Sequence, residues 1–294
     1  MPISLIQPMR DVPLAFVDVE TTGASAEYGD RVIEIGIVRV EGGKVVSEMQ
    51  ELIDPQRRIS PGIVALTGIS TDMVVGKPIF AQLSSAILEQ LRGAVIVGHN
   101  VRFDLSFLLH EFRRSQLDLP RELGPSVHVL DTVRIARKLF GRGGNGLQRL
   151  ALRLDLAPPV AHRALADAQT TLCVFDRMLG FIGGWNTCLC DVLKLQGGPM
   201  GLLPLNSREP TLPLELEEAL DARKPVIMEY LDARLHRTKR IIEPVQVRRF
   251  KGEMTLVAFC RLRQANRTFK LDRIVQLKRV DEVLVLPPEC AEGE

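Results

Sequence analysis

The sequence predicts an α/β protein with a mixed sheet, followed by a second, smaller strand-rich domain. Three observations carry this. Residues 14–53 read as consecutive strands, residues 80–179 alternate helices with strands, and from Gly183 the chain turns Gly- and Pro-rich before a run of short β segments. At 294 residues the chain exceeds one average domain.

Residues 14–20 (LAFVDVE) form an apolar run closed by acids, short enough for a buried strand. Residues 31–40 alternate, and Glu41-Gly42-Gly43-Lys44 is a hairpin turn into residues 45–53. These three strands are expected as an antiparallel ribbon. Helix 80–91, strand 94–97, helix 104–114, strand 127–130, helix 132–140 and helices 147–154 and 164–179 complete the first domain, residues 1–182. Residues 183–212 lack sustained periodicity and read as a linker. Beyond it, domain 213–294 shows a helix at 214–223 and β runs at 226–230, 240–247, 254–261, 267–271 and 283–286.

Composition sets further limits. Hydrophobic residues are 46% and charged residues 25%, as in ordinary globular proteins. No apolar run is long enough to span a bilayer, and the N-terminus has no basic start followed by a long apolar core, so neither a membrane anchor nor a signal peptide is expected. The five scattered cysteines, Cys173, Cys188, Cys190, Cys260 and Cys290, contain no CxxC pair, which points to thiols in a reducing cytoplasm. Net charge is +2 but unevenly spread: residues 222–279 carry +11 and the remainder −9. A basic segment behind an acidic one fits a part that meets phosphates, or a solvated basic surface.

Chemistry concentrates in four acids. Alternate side chains of a strand share a face, so Asp18 and Glu20 project together. Such a pair repels unless a cation sits between, and oxygen ligands suit Mg²⁺ or Mn²⁺. Asp104 follows strand 94–97 at a strand-to-helix junction, where α/β folds place their sites, although an Asp there is more often a helix cap. His162 and Asp167 are five apart, on different sides of an ideal helix. Because Pro158-Pro159 forbid helix just upstream, His162 is expected at the helix start with Asp167 inside it, both facing one centre.

The stretches DVETTG, HNxxFD and HRAxxDA, in this order and spacing, resemble the DnaQ-like (DEDDh) 3′→5′ exonucleases, and are similar to the proofreading exonuclease of bacterial DNA polymerase III. Leu66-Thr67-Gly68-Ile69 and residues 131–137 fit the same family, over about residues 12 to 180. The resemblance implies a ribonuclease H-like mixed sheet with flanking helices. It also implies two Mg²⁺ or Mn²⁺ ions bridging Asp18, Glu20, Asp104, Asp167 and the scissile phosphate, with His162 as base. Thr21, Thr22, Gly23, Thr67, Gly68 and Phe103 would line the pocket for the 3′-terminal nucleotide, and Asn100 would order the site. The Gly141–Gly146 loop has no following Lys-Ser/Thr, so it reads as a flexible connection rather than a phosphate cradle.

Residues 213 to 286 resemble the WYL domain, a small β-rich module of bacterial regulators thought to sense nucleic acid or nucleotide-like ligands. The naming Trp-Tyr-Leu is Met254-Thr255-Leu256 here, so stacking at that point is lost. Arg240, Arg261, Arg263, Arg267 and Arg273 remain for phosphate contacts, or pair internally with Glu243 and Asp272. Three functions follow: a DNA 3′→5′ exonuclease with a nucleic-acid-sensing domain, an exoribonuclease on the same site, or a regulatory binding protein with a vestigial nuclease. The expected partners are single-stranded DNA or DNA 3′ ends, with RNA and a DNA polymerase as candidates. The complete acid set argues against the third function.

Overall fold

A computed structural model describes residues 3–124, 127–157, 162–202, 212, 214–232, 236–250 and 253–280. Pro158, Pro159, Cys290, expected strand 283–286 and residues 203–211 of the expected linker lie outside the described residues. The chain divides into two compact units, Met1–Ile59 with Thr67–Leu212, and Ser60–Leu66 with Pro213–Glu294.

The first unit begins with β1 (Leu14–Thr21), β2 (Val32–Glu41) and β3 (Lys44–Leu52). Helix α1 (Pro61–Thr67) falls, up to Leu66, in the segment counted with the second unit; the first unit resumes with the short helix α2 (Thr71–Val74), then α3 (Phe80–Leu91), β4 (Val95–Gly98), α4 (Arg102–Arg114) and α5 (Leu119–Leu123). Then come β5 (Val129–Asp131), α6 (Thr132–Phe140), α7 (Leu147–Arg153), α8 (Ala164–Gly180) and α9 (Leu189–Leu195). The sheet order is β3-β2-β1-β4-β5, antiparallel on the β3-β2-β1 side and parallel where β4 and β5 join, so the sheet is mixed, as expected.

Alternation decides which face each residue serves. Ala15, Val17 and Val19 of β1 pack into a core with helices α3 and α4, whereas Leu14 and Phe16 pack into a second core with α6 to α9. Asp18 and Glu20 continue the Leu14-Phe16 face, the one α8 covers. Phe16 meets Phe175 of α8 edge-on at 5.7 Å. Burying a side chain of this size stabilises by about 1.5–3 kcal/mol, so the acids sit at the rim of a well-packed layer. On the opposite layer, the buried Glu111 of α4 is gripped by Arg31 at 2.6 and 2.9 Å and by the Val32 N–H, which keeps it a structural acid.

The expected linker requires correction. Leu189, Val192 and Leu193 of α9 are buried at helical spacing in the second core, and Gln196 bonds β5 through Asp131 N–H and the Val129 carbonyl. The Gly-rich flanks hid a three-residue apolar stripe, and the first unit runs to Leu212. No helix among the described residues is long and apolar enough to cross a membrane.

The second unit holds α10 (Leu214–Ala222), β6 (Val226–Leu231), β7 (Arg237–Phe250), β8 (Glu253–Cys260), β9 (Ala265–Lys270) and β10 (Ile274–Arg279). Its strands form an antiparallel sheet in the order β10-β6-β7-β8-β9.

Candidate active site

Three elements deliver the acids. Asp18 and Glu20 stand near the C-terminal end of β1, beyond the stretch that pairs with β4. Asp104 lies in the first turn of α4, and its Oδ1 accepts the Val19 N–H at 3.1 Å, so it is pinned to the backbone between the other two acids. Asp167 lies in the first turn of α8. Its Oδ1 accepts from Gln148 at 2.8 Å and its Oδ2 from the His162 N–H at 2.9 Å. His162 precedes the N-cap Arg163, so it stands outside the helix as its spacing required.

Glu20, His162 and Asp167 each offer a ligand atom within 4.8 Å of the others. Asp18 and Asp104 fall outside that tight group but are joined to it by charge. Burial, then Asp104, Glu20 and Asp167, hold the Asp18 carboxyl well above the usual range. Burial, then Asp167, Glu34 and Asp104, do the same to Glu20. Asp104 is raised by burial and by Asp131 and Asp167 despite its backbone bonds, and Asp167 is raised by burial against its His162 and Gln148 bonds. Four carboxyls pushed in one direction describe a site that needs positive charge before all can ionise.

Two residues that the motifs do not mark set this geometry. Gly36 pairs with Asp18 across β1 and β2, and a Cβ there would lie 2.2 Å from the Leu165 nitrogen and 2.4 Å from the Ala164 oxygen. The absent side chain lets the start of α8 sit on the sheet. Glu34 pairs with Glu20 in the same register and is wholly buried. Burial pushes its carboxyl up, but bonds from Arg163, the Ala164 N–H and Gln50 outweigh that and leave it lowered. A glycine inside the strand run VIEIGIVRV is the one sequence signal that could have flagged the first. Nothing local flags the second.

The residues expected around the terminal nucleotide are placed as follows. Thr21 Oγ1 donates to the Gly23 carbonyl at 2.6 Å. Thr22 Oγ1 donates to Asp30 at 3.3 Å, and a Cβ on Gly23 would run into the same carboxylate at 2.4 Å. Asp30 therefore locks this turn. Thr67 Oγ1 accepts the Ile69 N–H at 3.1 Å beside Gly68, whose φ is +73°. Phe103 stacks obliquely on Phe107 at 5.0 Å. Asn100 adopts φ +62°, gives its N–H to Asp131 at 3.1 Å and its side-chain amide to the Leu212 carbonyl at 3.2 Å.

The Gly141–Gly146 loop, expected as a flexible connection, is anchored at Asn145. Asn145 is wholly buried, bonds the Gly141 carbonyl, and its own carbonyl accepts from His99 Nε2 at 2.7 Å. Burial takes the His99 imidazole down to about 4. Above its unfolded value near 6.5 both states are neutral; between there and about 4 only the unfolded chain takes the proton. Stability is therefore lost as pH falls through that window, by up to about 3 kcal/mol at one pKa unit per 1.36 kcal/mol. Urea unfolding at pH 7 and pH 4.5 should show the native protein's stability changing less favourably on acidification than that of His99→Gln, the difference being the His99 contribution. Equal changes in the two proteins would contradict it.

The five arginines of the second unit are spread over both faces of its sheet and over two turns. Cross-strand partners share a face, and Arg240 pairs with buried Met228 while Arg267 pairs with buried Ala258. Both lie on the sheet face that buries Met228 and Ala258, where Arg267 on the edge strand is itself exposed and the Arg240 guanidinium lies 5.9 Å from the Phe269 ring. Arg261 bonds Glu243 at 2.9 Å, and Glu243, paired with Phe259, belongs to the opposite face. Arg263 lies in the turn after β8 and Arg273 in the 3-10 turn Leu271–Arg273. The outer face carries Arg237, Lys239, Arg261 and Lys278 against Glu229 and Glu243.

A family model described as exonuclease matches residues 15–175, and the WYL domain model matches residues 213–279. DNA polymerase III subunit epsilon of Treponema pallidum (strain Nichols) is 37% identical over 165 residues, 55% of this chain and 74% of that protein. The 3′-5′ exonuclease DinG of Bacillus subtilis (strain 168) is 37% identical over 164 residues, 55% of this chain, which spans only 17% of that relative's length. Among solved structures, the zinc-bound E. coli ExoI–ssDNA complex aligns with a TM-score of 0.55 at 18% identity, covering 85% of this chain and 54% of that one. The nuclease domain of 3′hExo, a DEDDh family member bound to rAMP, aligns at 0.53 and 16% identity, covering 62% of this chain and 98% of that one. Both structural likenesses are likenesses of fold.

Proposed function

The chain belongs to the exonuclease family, and from that premise we propose that it is a metal-dependent enzyme of the DEDDh type, removing nucleotides from the 3′ ends of DNA. The observation that carries this reading is the set Asp18, Glu20, Asp104 and Asp167, drawn from three elements, with each carboxyl raised by burial and by its neighbours. His162 beside Asp167 completes it.

The donor set fits a divalent cation. Carboxylate oxygens suit Mg²⁺ or Mn²⁺, and the mutual repulsion of the acids is what a cation relieves. Asp18, Glu20, Asp104 and Asp167 would hold two such ions. Bound there, they would lower the pKa of the attacking water and offset charge on the phosphate. His162 takes the water's proton, which an imidazole near neutral pH is suited to do. Thr21, Thr22, Gly23, Thr67, Gly68 and Phe103 line the nucleotide pocket, with Asp30 fixing the threonine turn. Asn100 orders the strand-to-helix corner through Asp131.

In the second domain, the outer sheet face takes the phosphate backbone of a single strand through Arg261, Lys239 and Lys278. The likeness to an epsilon subunit makes a DNA polymerase the candidate protein partner. The enzyme acts in the cytoplasm, where the described cysteines stay as thiols.

One assay tests the whole reading: purified protein with Mg²⁺ or Mn²⁺ on 3′-labelled single-stranded DNA and RNA, beside Asp18→Ala. Metal-dependent release of label from DNA is expected, with Asp18→Ala silent. Preference for RNA would move the assignment to an exoribonuclease, and release from neither would end the catalytic reading. Reversing Lys239 and Lys278 to Glu in the same assay should weaken strand binding and make its salt dependence shallower. Unchanged binding would assign the second domain to another ligand.

A further inference from the structure

His162 has φ +63°, a left-handed backbone that costs a non-glycine residue about 1–3 kcal/mol and persists only where its surroundings impose it. Two anchors impose it here. On one side the His162 N–H donates to Asp167 Oδ2. On the other, the next two residues both end on Glu34. Arg163 Nε and Nη2 donate to its carboxylate at 2.7–3.1 Å, and the Ala164 N–H donates to Oε2 at 2.9 Å.

Stability alone does not account for a charge at this place. Glu34 is fully buried and stands directly opposite Glu20, and like charges so placed destabilise an antiparallel pair. A buried ion pair is often no better than apolar packing of the same volume. What the carboxylate adds is direction: a planar guanidinium held by two nitrogens has one orientation, and a single-point contact does not. Glu34 also sits two residues from Gly36, where α8 touches the sheet, so the grip acts at the start of the helix that carries Asp167.

We infer that Glu34 and Arg163 are a positioning pair for His162, fixing the turn into α8 so that the imidazole stands beside Glu20 and Asp167. The inference rests on the reading of His162 as the base. Arg163 is 37% exposed at its side chain, so removing it leaves the core intact, whereas changing Glu34 empties a buried site. Arg163 is therefore the residue to vary first.

Steady-state digestion of 3′-labelled single-stranded DNA by the full chain supplies the test. Arg163→Ala should lower kcat by about 10²-fold with KM unchanged, the size of effect a displaced catalytic group produces. Arg163→Lys keeps the charge but not the fork and should recover little of the loss. In a His162→Ala background the same Arg163→Ala change should cost nothing further, because the pair acts through the imidazole. Hydrogen exchange gives a second readout: the His162 and Ala164 amides should lose protection in Arg163→Ala. Glu34→Gln should move all of these in the same direction. Full rescue by lysine, or a loss that adds to His162→Ala, would overturn the pairing in favour of a simple charge effect on Glu20. If the native protein cleaved nothing, the exonuclease reading would fail by itself, and unchanged exchange at residues 162 and 164 would still overturn the pair.

Discussion

Replacing Asp18 by asparagine should abolish cleavage while making the metal-free protein more stable. In the fold, burial and then Asp104, Glu20 and Asp167 push this carboxyl above its usual range. The sign follows directly. A raised acid binds more protons folded than unfolded, so the metal-free protein gains stability as pH falls through the raised value and lacks it at neutral pH. Removing one of the repelling charges relieves its neighbours. The metal-free melting temperature of Asp18→Asn should exceed that of the native protein at pH 7.5. Divalent metal should raise the native melting temperature, since a ligand at 100 times its Kd adds about 2.7 kcal/mol, and should raise that of the variant far less. The metal effect on the native protein should shrink at lower pH, as protons compete for the same oxygens. Activity should fall on the order of 10³-fold or more, as for other catalytic residues. A variant that melts below the native protein without metal, or cleaves at close to the native rate, would contradict the assignment.

Gly36→Ala should disable the enzyme without touching a catalytic residue. The added methyl would lie 2.2 Å from the Leu165 nitrogen and 2.3 Å from the Ala164 carbon, both backbone atoms that no rotamer change can move. Either α8 lifts from β2 or β2 bends. Overpacking of this kind costs about 1–3 kcal/mol, and a shift near 1 Å at Asp167 and His162 costs about 10²-fold in rate. Thermal melting and initial rates on one preparation measure both. A native rate would show that the approach of α8 to the sheet does not set the site.

Much of this architecture can be read from the chain. The strand run LAFVDVE announces both a buried strand and, by alternation, two acids on one face. The break in periodicity before residue 164 places His162 outside the helix that holds Asp167. These are local signals, and local physics sets them. What depends on register is not legible. That Glu34 lies opposite Glu20, and Gly36 opposite Asp18, follows from how β2 slides against β1. The same holds for the arginines of the second sheet: Arg240 and Arg261 look equivalent in sequence but belong to opposite faces. Helix α9 is hidden differently, since a seven-residue helix inside a Gly-rich stretch has too few turns to stand out.

The most direct test of the account follows the strand itself. A 5′-labelled single-stranded oligonucleotide, incubated with the protein and Mg²⁺ or Mn²⁺, should shorten one nucleotide at a time from its 3′ end, and a chelator should stop it. Internal cuts, loss of the 5′ label, or a ladder that forms equally well with Asp18→Asn would contradict it.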